Sequence, residues 1–140
     1  MRKVLFLDTN VIMDIVFERG EFQDKAIQLF ILQQKGLVDL HISTLTLAHI
    51  AYFAKKFGKN PKVVVAKVLK SITAVDLTMH HFENSIRSKF SDFEDALQYF
   101  AAKDIKGIDF IITRNDHDFK HSEIPVLSPK AFVSNFSLDT

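Results

Sequence analysis

The sequence predicts an α/β protein, a three-layer α/β/α sandwich around a mostly parallel central sheet. Three observations predict it. Two short apolar runs, Lys3 to Leu7 and Asp109 to Thr113, read as strands buried on both faces, the kind found in the middle of parallel sheets. Strand-like and helix-like segments alternate from end to end, as right-handed strand–helix–strand crossovers require. No repeat, low-complexity stretch or linker interrupts the 140 residues, so a single domain over 1–140 is expected, large enough for a hydrophobic core.

The first strand is followed at once by Asp8, Thr9 and Asn10. Thr9 and Asn10 are good N-cap types, and Val11 to Phe17 resumes the apolar pattern as a helix. Glu18-Arg19-Gly20-Glu21 breaks that helix, and Phe22 to Lys35 forms a second, with Gly36 as its C-cap. Leu37 to Ile42 alternates as a strand. Ser43 then caps a helix through Leu47, Ile50, Ala51 and Phe53 to Phe57, closed by Gly58. Asn60-Pro61 opens the next helix, and Ile72 to Leu77 is a third strand. Met79 to Phe90 reads as a helix with Phe82, Ile86 and Phe90 at four-residue spacing, and its His80-His81 start is expected to expose both imidazoles. Ser91 is expected to cap the following helix, Asp92 to about Lys103, which keeps Phe93, Leu97, Phe100 and Ala101 on one face and Asp92 and Asp95 on another. A short strand, Ile124 to Leu127, and a helix from Pro129 through Phe132 and Phe136 complete the chain.

Composition narrows the chemistry. The absence of cysteine removes disulfides, thiolate catalysis and cysteine-ligated zinc, and suits a reducing cytoplasm. No 18-residue apolar run is present, and the Met1-Arg2-Lys3 start lacks the later cleavage region of a signal peptide, so no membrane association is expected. A net charge of +1 advertises no global attraction for nucleic acid, so such a partner must be held by a local patch. Fourteen phenylalanines and no tryptophan predict a core rich in Phe.

Acids and their amides gather where strands end or a helix faces a cleft. Asp8 follows the first strand, beside a helix N-terminus, where open α/β sheets hold ligands; a buried capping role is its plain structural alternative. Asp92 and Asp95 share a helix face, and Asn115, Asp116 and Asp118 follow the strand Phe110 to Thr113. Carboxylates brought together repel unless a cation neutralises them, and hard oxygen donors without cysteine select Mg²⁺ or Mn²⁺.

The set Leu7-Asp8-Thr9-Asn10, Ser43-Thr44-Leu45-Thr46, Phe93-Glu94-Asp95-Ala96-Leu97-Gln98 and Thr113-Arg114-Asn115-Asp116-His117-Asp118-Phe119 resembles the PIN domain, in the short branch that includes the VapC ribonuclease toxins. The resemblance spans nearly the whole chain. It implies metal-dependent hydrolysis of RNA phosphodiester bonds, with family acids at Asp8, Asp95 and Asp118, Asp116 being the alternative to Asp118, and Asp92 an outer ligand. It also suggests an antitoxin protein as partner. Members usually carry a glutamate after the Ser-Thr-Leu-Thr stretch, and the matching residue here is His49, which would offer a metal nitrogen in place of a charged oxygen. Asn115 would help Asp118 to orient a water. Thr9, Ser43 and Thr113 are read as supporting hydroxyls on the substrate side, and Arg114 as a contact for substrate phosphate, or else as a partner for a neighbouring carboxylate.

Two rivals are weighed against this reading. A PIN fold weakened by His49 would bind RNA or protein without cutting. A phosphatase built on an aspartate nucleophile wants a second aspartate two residues after Asp8, where Asn10 stands. A serine hydrolase is excluded by the lack of a G-x-S-x-G elbow. The lysines from Lys55 to Lys70 are read as a solvated helix face or as a phosphate-tracking rim, and the Leu47, Ile50, Phe53 series as core or as a homodimer face.

Overall fold

A computed structural model describes the backbone of residues 2–138 and the side chains of residues 2–136. Met1 and residues 139–140, which the sequence reading includes in its domain, lie outside the described residues. In chain order the elements are β1 (Lys3–Leu7), α1 (Thr9–Val16), α2 (Glu21–Gln34), β2 (Val38–Ser43), α3 (Thr44–Lys56), α4 (Pro61–Ser71), β3 (Thr73–Val75), α5 (Met79–Arg87) and α6 (Phe93–Lys103), then β4 (Phe110–Ile112), a 3-10 turn (Asp116–Phe119), β5 (Val126–Leu127) and α7 (Pro129–Leu138).

All strand pairs are parallel, in the order β3-β2-β1-β4-β5. The two runs that read as buried on both faces, β1 and β4, lie side by side, with Leu7 opposite Ile112. Alternation along β1 explains why a continuous apolar run is needed there. Leu5 and Leu7 face a core shared with α1, α2, α3, α4 and α7, through Val11, Ile12, Leu29, Ile50, Val68 and Phe132. Phe6 points the other way, into a second core with Tyr99 and Ala101 of α6, Ile111 and Phe119. Helices thus cover both sheet faces, which is the three-layer architecture expected. Among the described residues no helix is long and apolar enough to cross a membrane.

Several local expectations are corrected. Helix α1 is capped by Asp8, not by Thr9 or Asn10, because the Asp8 carboxylate accepts the Thr9 amide at 2.8 Å. Helix α6 is capped by Asp92 rather than Ser91, the Asp92 carboxylate accepting the Asp95 amide at 2.9 Å. Helix α5 ends at Arg87, short of Phe90, and Ile86 is 73% exposed. His81 is buried, not exposed as expected. Its Nδ1 accepts the Thr78 amide at 3.0 Å, so Nε2 carries the proton that is donated to Asp104 at the end of α6. Gly58 does close α3 as expected, at φ 74°, a left-handed turn that a side chain would strain.

Candidate active site

The sheet order reverses between β1 and β4. Connections from β1 run outward through β2 to β3, and the chain then returns to place β4 on the other side of β1. A crevice opens at the carboxyl ends of strands where that happens. Asp8 and Thr113 each stand one residue past their strand, so both reach this edge, and the Asp8 amide donates to the Ile112 carbonyl at 2.9 Å to extend the pairing.

Asp8 is held from three sides. Its Oδ1 accepts from the Thr9 amide, and its Oδ2 accepts from Thr113 Oγ1 at 2.8 Å and from Asn10 Nδ2 at 3.3 Å. Below it lies a buried network. Ser43 Oγ donates to Gln98 Oε1, Gln98 Nε2 donates to Thr9 Oγ1 at 2.9 Å and to Thr46 Oγ1 at 3.1 Å, and the two threonine hydroxyls lie 2.7 Å apart. These bonds cross from α6 to β2, α1 and α3, and they lock the rotamers of the floor.

Above the floor is a polar cleft of about 350 Å³, lined by Asp8, Thr9, Asn10, Asp92, Glu94, Asp95, Gln98, Asn115 and Asp118, with His49, Arg19 and Phe53 on its wall. The sequence candidates Asp8, Asp92, Asp95, Asn115, Asp118, His49 and Thr9 therefore share one cleft. Asp116 is exposed and does not line it. Ser43 and Thr113 are fully buried, so they brace the floor instead of meeting substrate. Arg114 is also placed elsewhere. Its guanidinium grips the buried Asp14 by Nε at 2.7 Å and Nη2 at 3.1 Å, and it stacks 4.1 Å above Phe22. The alternative role of pairing with a carboxylate is the one adopted.

Several residues escaped the sequence reading, Arg19 on the cleft wall among them. Glu94 lines the cleft and meets His49 Nε2 at 3.4 Å. Its place in the first turn of α6, beside Asp95, was the available signal. Gln98 lies three residues after Asp95, hence on the same helix face. Asp14, two turns into α1 among apolar neighbours, was a buried charge in need of a cation.

The electrostatics record crowding of like charge. Burial raises the Asp8 carboxyl above the ordinary range, and the Asp118 charge adds to this, against hydrogen bonds from Thr113, Thr9 and Gln98 that lower it. Asp95 is pushed up to about 7, first by burial and then by Asp8, Asp92, Asp118 and Glu94. Such repulsion is relieved by a proton or a cation. Among the described residues no three acids or histidines already stand together as a metal cage. Mg²⁺ needs no such cage, since it keeps several waters and binds through one or two carboxylates. The oxygens of Asp8, Asp95 and Asp118 are the donors in this cleft that could hold a hard divalent cation.

The fold and the site define an open α/β protein with an acidic cleft at its topological switch point. Residues 4–117 match the PIN domain family, and the chain belongs to it. Among solved structures, a chain of the VapBC2 complex of Rickettsia felis bound to a DNA fragment from its promoter is similar, at 17% identity, covering 89% of this chain and 97% of that one with a TM-score of 0.64. A chain of a toxin–antitoxin complex from Klebsiella pneumoniae matches at 23% identity over 89% and 97%, with a TM-score of 0.63. The sarcin–ricin loop cleaving toxin VapC20 of Mycobacterium tuberculosis matches at 17% identity over 76% and 86%, with a TM-score of 0.58. No curated protein is recognisably similar in sequence.

Proposed function

We propose that this protein is a cytoplasmic endoribonuclease that hydrolyses RNA phosphodiester bonds with Mg²⁺ or Mn²⁺, and that it is the toxin of a toxin–antitoxin pair, working as one domain. The observation that carries the reading is the convergence of Asp8, Asp92, Asp95 and Asp118, from two strand ends and the start of α6, on one polar cleft. Acids crowded together in a cleft, where burial and like charge raise their pKa values, are candidates for a functional site. The toxin–antitoxin complexes among the structural relatives support an antitoxin partner.

In this reading Asp8, Asp95 and Asp118 hold the ion, with Asp92 behind them. The bound ion would lower the pKa of a water and offset charge on the phosphoryl oxygens. Asp8 is oriented by the Thr113 and Asn10 donors, which leave its remaining lone pairs to face the cleft. Asn115, which caps the 3-10 turn, and Asp118 within it would orient the attacking water. Thr9 and Arg19 border the path of the substrate strand.

Cleavage of structured and unstructured RNA with Mg²⁺, Mn²⁺ or EDTA tests the proposal, wild type against Asp8→Asn. Ion-dependent cutting lost in Asp8→Asn is the expected result, and equal cutting in EDTA would refute it. A second reading is favoured by His49, which meets Glu94 where the family usually carries a glutamate: a PIN fold that binds RNA or a protein partner without cutting. Titration with Mn²⁺ separates the two, because a binding module need hold no ion.

A further inference from the structure

Beside the acidic cleft lies a surface of opposite character. No acid occurs between Asp39 and Asp76, while Lys55, Lys56, Lys59 and Lys62 cluster, all exposed, where α3 turns into α4. Through this positive surface runs a line of aromatic rings. Phe53, on the cleft wall, stacks on Phe57 with centroids 6.1 Å apart, and Phe57 meets Phe17 edge-on at 5.2 Å. Two ammonium groups hold the outer rings, Lys56 lying 5.8 Å from the Phe53 centroid and Lys59 5.8 Å from that of Phe17. Phe57, between them, is 53% exposed. Gly58 makes this possible, because its left-handed turn directly follows Phe57, the C-cap of α3.

We propose that Phe57, braced by Phe53 and Phe17 and flanked by Lys56 and Lys59, is a stacking subsite for an unpaired nucleobase of an RNA strand whose backbone continues into the acidic cleft. The inference rests on the nuclease reading for what happens in the cleft, but the binding it describes needs no cleavage. An aromatic face with cations around it takes a base by stacking and its phosphate by charge, and it is tolerant of sequence. A duplex keeps its bases stacked on each other and offers none to the ring. The neighbouring acids repel a backbone, so a strand needs a favourable hold just outside the cleft, and this basic aromatic line is continuous with the cleft wall through Phe53.

Fluorescence anisotropy of labelled octauridine in EDTA tests the subsite in the intact protein, with an RNA duplex of the same length as comparison. Phe57→Ala is expected to weaken octauridine binding about tenfold, the scale of one lost base–aromatic stack. Phe57→Tyr, which keeps a ring, should bind as the wild type does. Lys56→Ala and Lys59→Ala should each flatten the dependence of log K on log salt by about 0.7. Octauridine binding that ignores Phe57→Ala, duplex binding as tight as single-strand binding, or no RNA binding at all would overturn the proposal. The last of these would leave the ring line to a protein partner. Cleavage with Mn²⁺ is scored separately. Ring-dependent binding without cutting would sustain the subsite and sink the nuclease reading, while cutting with KM unchanged in Phe57→Ala would do the reverse.

Discussion

Thr113 Oγ1 donates to Asp8 Oδ2 at 2.8 Å, joining two residues 105 positions apart across the seam between β1 and β4. The same hydroxyl oxygen accepts from the Asn115 amide at 3.1 Å and from Asn10 Nδ2 at 3.3 Å. A threonine thus couples the acid of one strand to the loop that carries Asp118. Its job is to aim a carboxylate, and the buried position of Thr113 suits that job better than contact with substrate.

Asp8→Asn is expected to abolish cleavage and to preserve the fold, because it removes a charge that its surroundings disfavour. Denaturant unfolding in EDTA checks this. A loss of more than about 3 kcal/mol, the scale of a broken buried polar network, would make Asp8 structural.

Ion binding should appear as stability. A free ion at about a hundred times its Kd adds roughly 2.7 kcal/mol to a folded state that alone binds it. Tm should climb with Mn²⁺ in the wild type and hardly move in Asp8→Asn with Asp95→Asn. Equal shifts in both proteins would mean that no acidic site is involved.

The raised Asp95 carboxyl gives a pH dependence of known sign. Its folded value, about 7, lies above the ordinary 3.8, so between these the folded protein holds a proton that the unfolded chain has lost. The stability this confers is full below 3.8 and is lost as pH rises through about 7. Ion-free protein should therefore weaken from pH 4 to pH 7, and metal uptake near pH 6 should release protons. Asp95→Asn should flatten both curves, as urea melts and calorimetry in two buffers would reveal.

At His49 an imidazole faces Glu94 instead of adding a carboxylate to the cleft. Nitrogen is a poor exchange for Mg²⁺ and a tolerable one for Mn²⁺, so Mn²⁺ should be preferred. His49→Glu should restore use of Mg²⁺, since two acids at that wall repel until a cation joins them, whereas His49→Ala should leave binding weak for both ions. Identical ion preference in all three proteins would remove His49 from the site.

Arg114→Met should destabilise, though by less than the about 3–5 kcal/mol of a wholly orphaned buried charge, because Asp14 loses its bidentate partner but keeps Arg19 Nη1 at 4.0 Å. Converting Asp14 to Leu as well should recover much of that loss. Thermal melts of the single and double variants measure it, and additive losses would deny the pairing its weight.

The layout of elements was legible because periodicity is local. Both central strands, the Asn60-Pro61 helix start and the glycine after α3 follow from neighbours in sequence. The acids could be gathered because they sit at strand ends and on a helix face, and strand adjacency then brought them together. Partnership was not legible where it spans distance. His81 looks like a surface imidazole until Asp104, 23 residues on, meets its Nε2, and Arg114 looks available until Asp14, 100 residues earlier, takes it. Caps misplaced by one residue, as at Ser91 and Asp92, show a different limit: adjacent residues of equal propensity are separated by tertiary docking alone.

Because β4 completes the sheet on the far side of β1, the order of synthesis matters. At about 5–20 residues per second, a ribosome takes roughly 5–20 s to go from Asp8 to Thr113. As they emerge, β2 pairs with β1 and β3 with β2, but until β4 arrives β1 keeps one bare apolar edge, the kind of edge that recruits foreign strands. A nascent or prematurely terminated chain ending before β4 has Asp8 without Thr113, Asn115 or Asp118, and so has no assembled cleft. The acidic cleft of this protein is assembled only with the arrival of its last fifth.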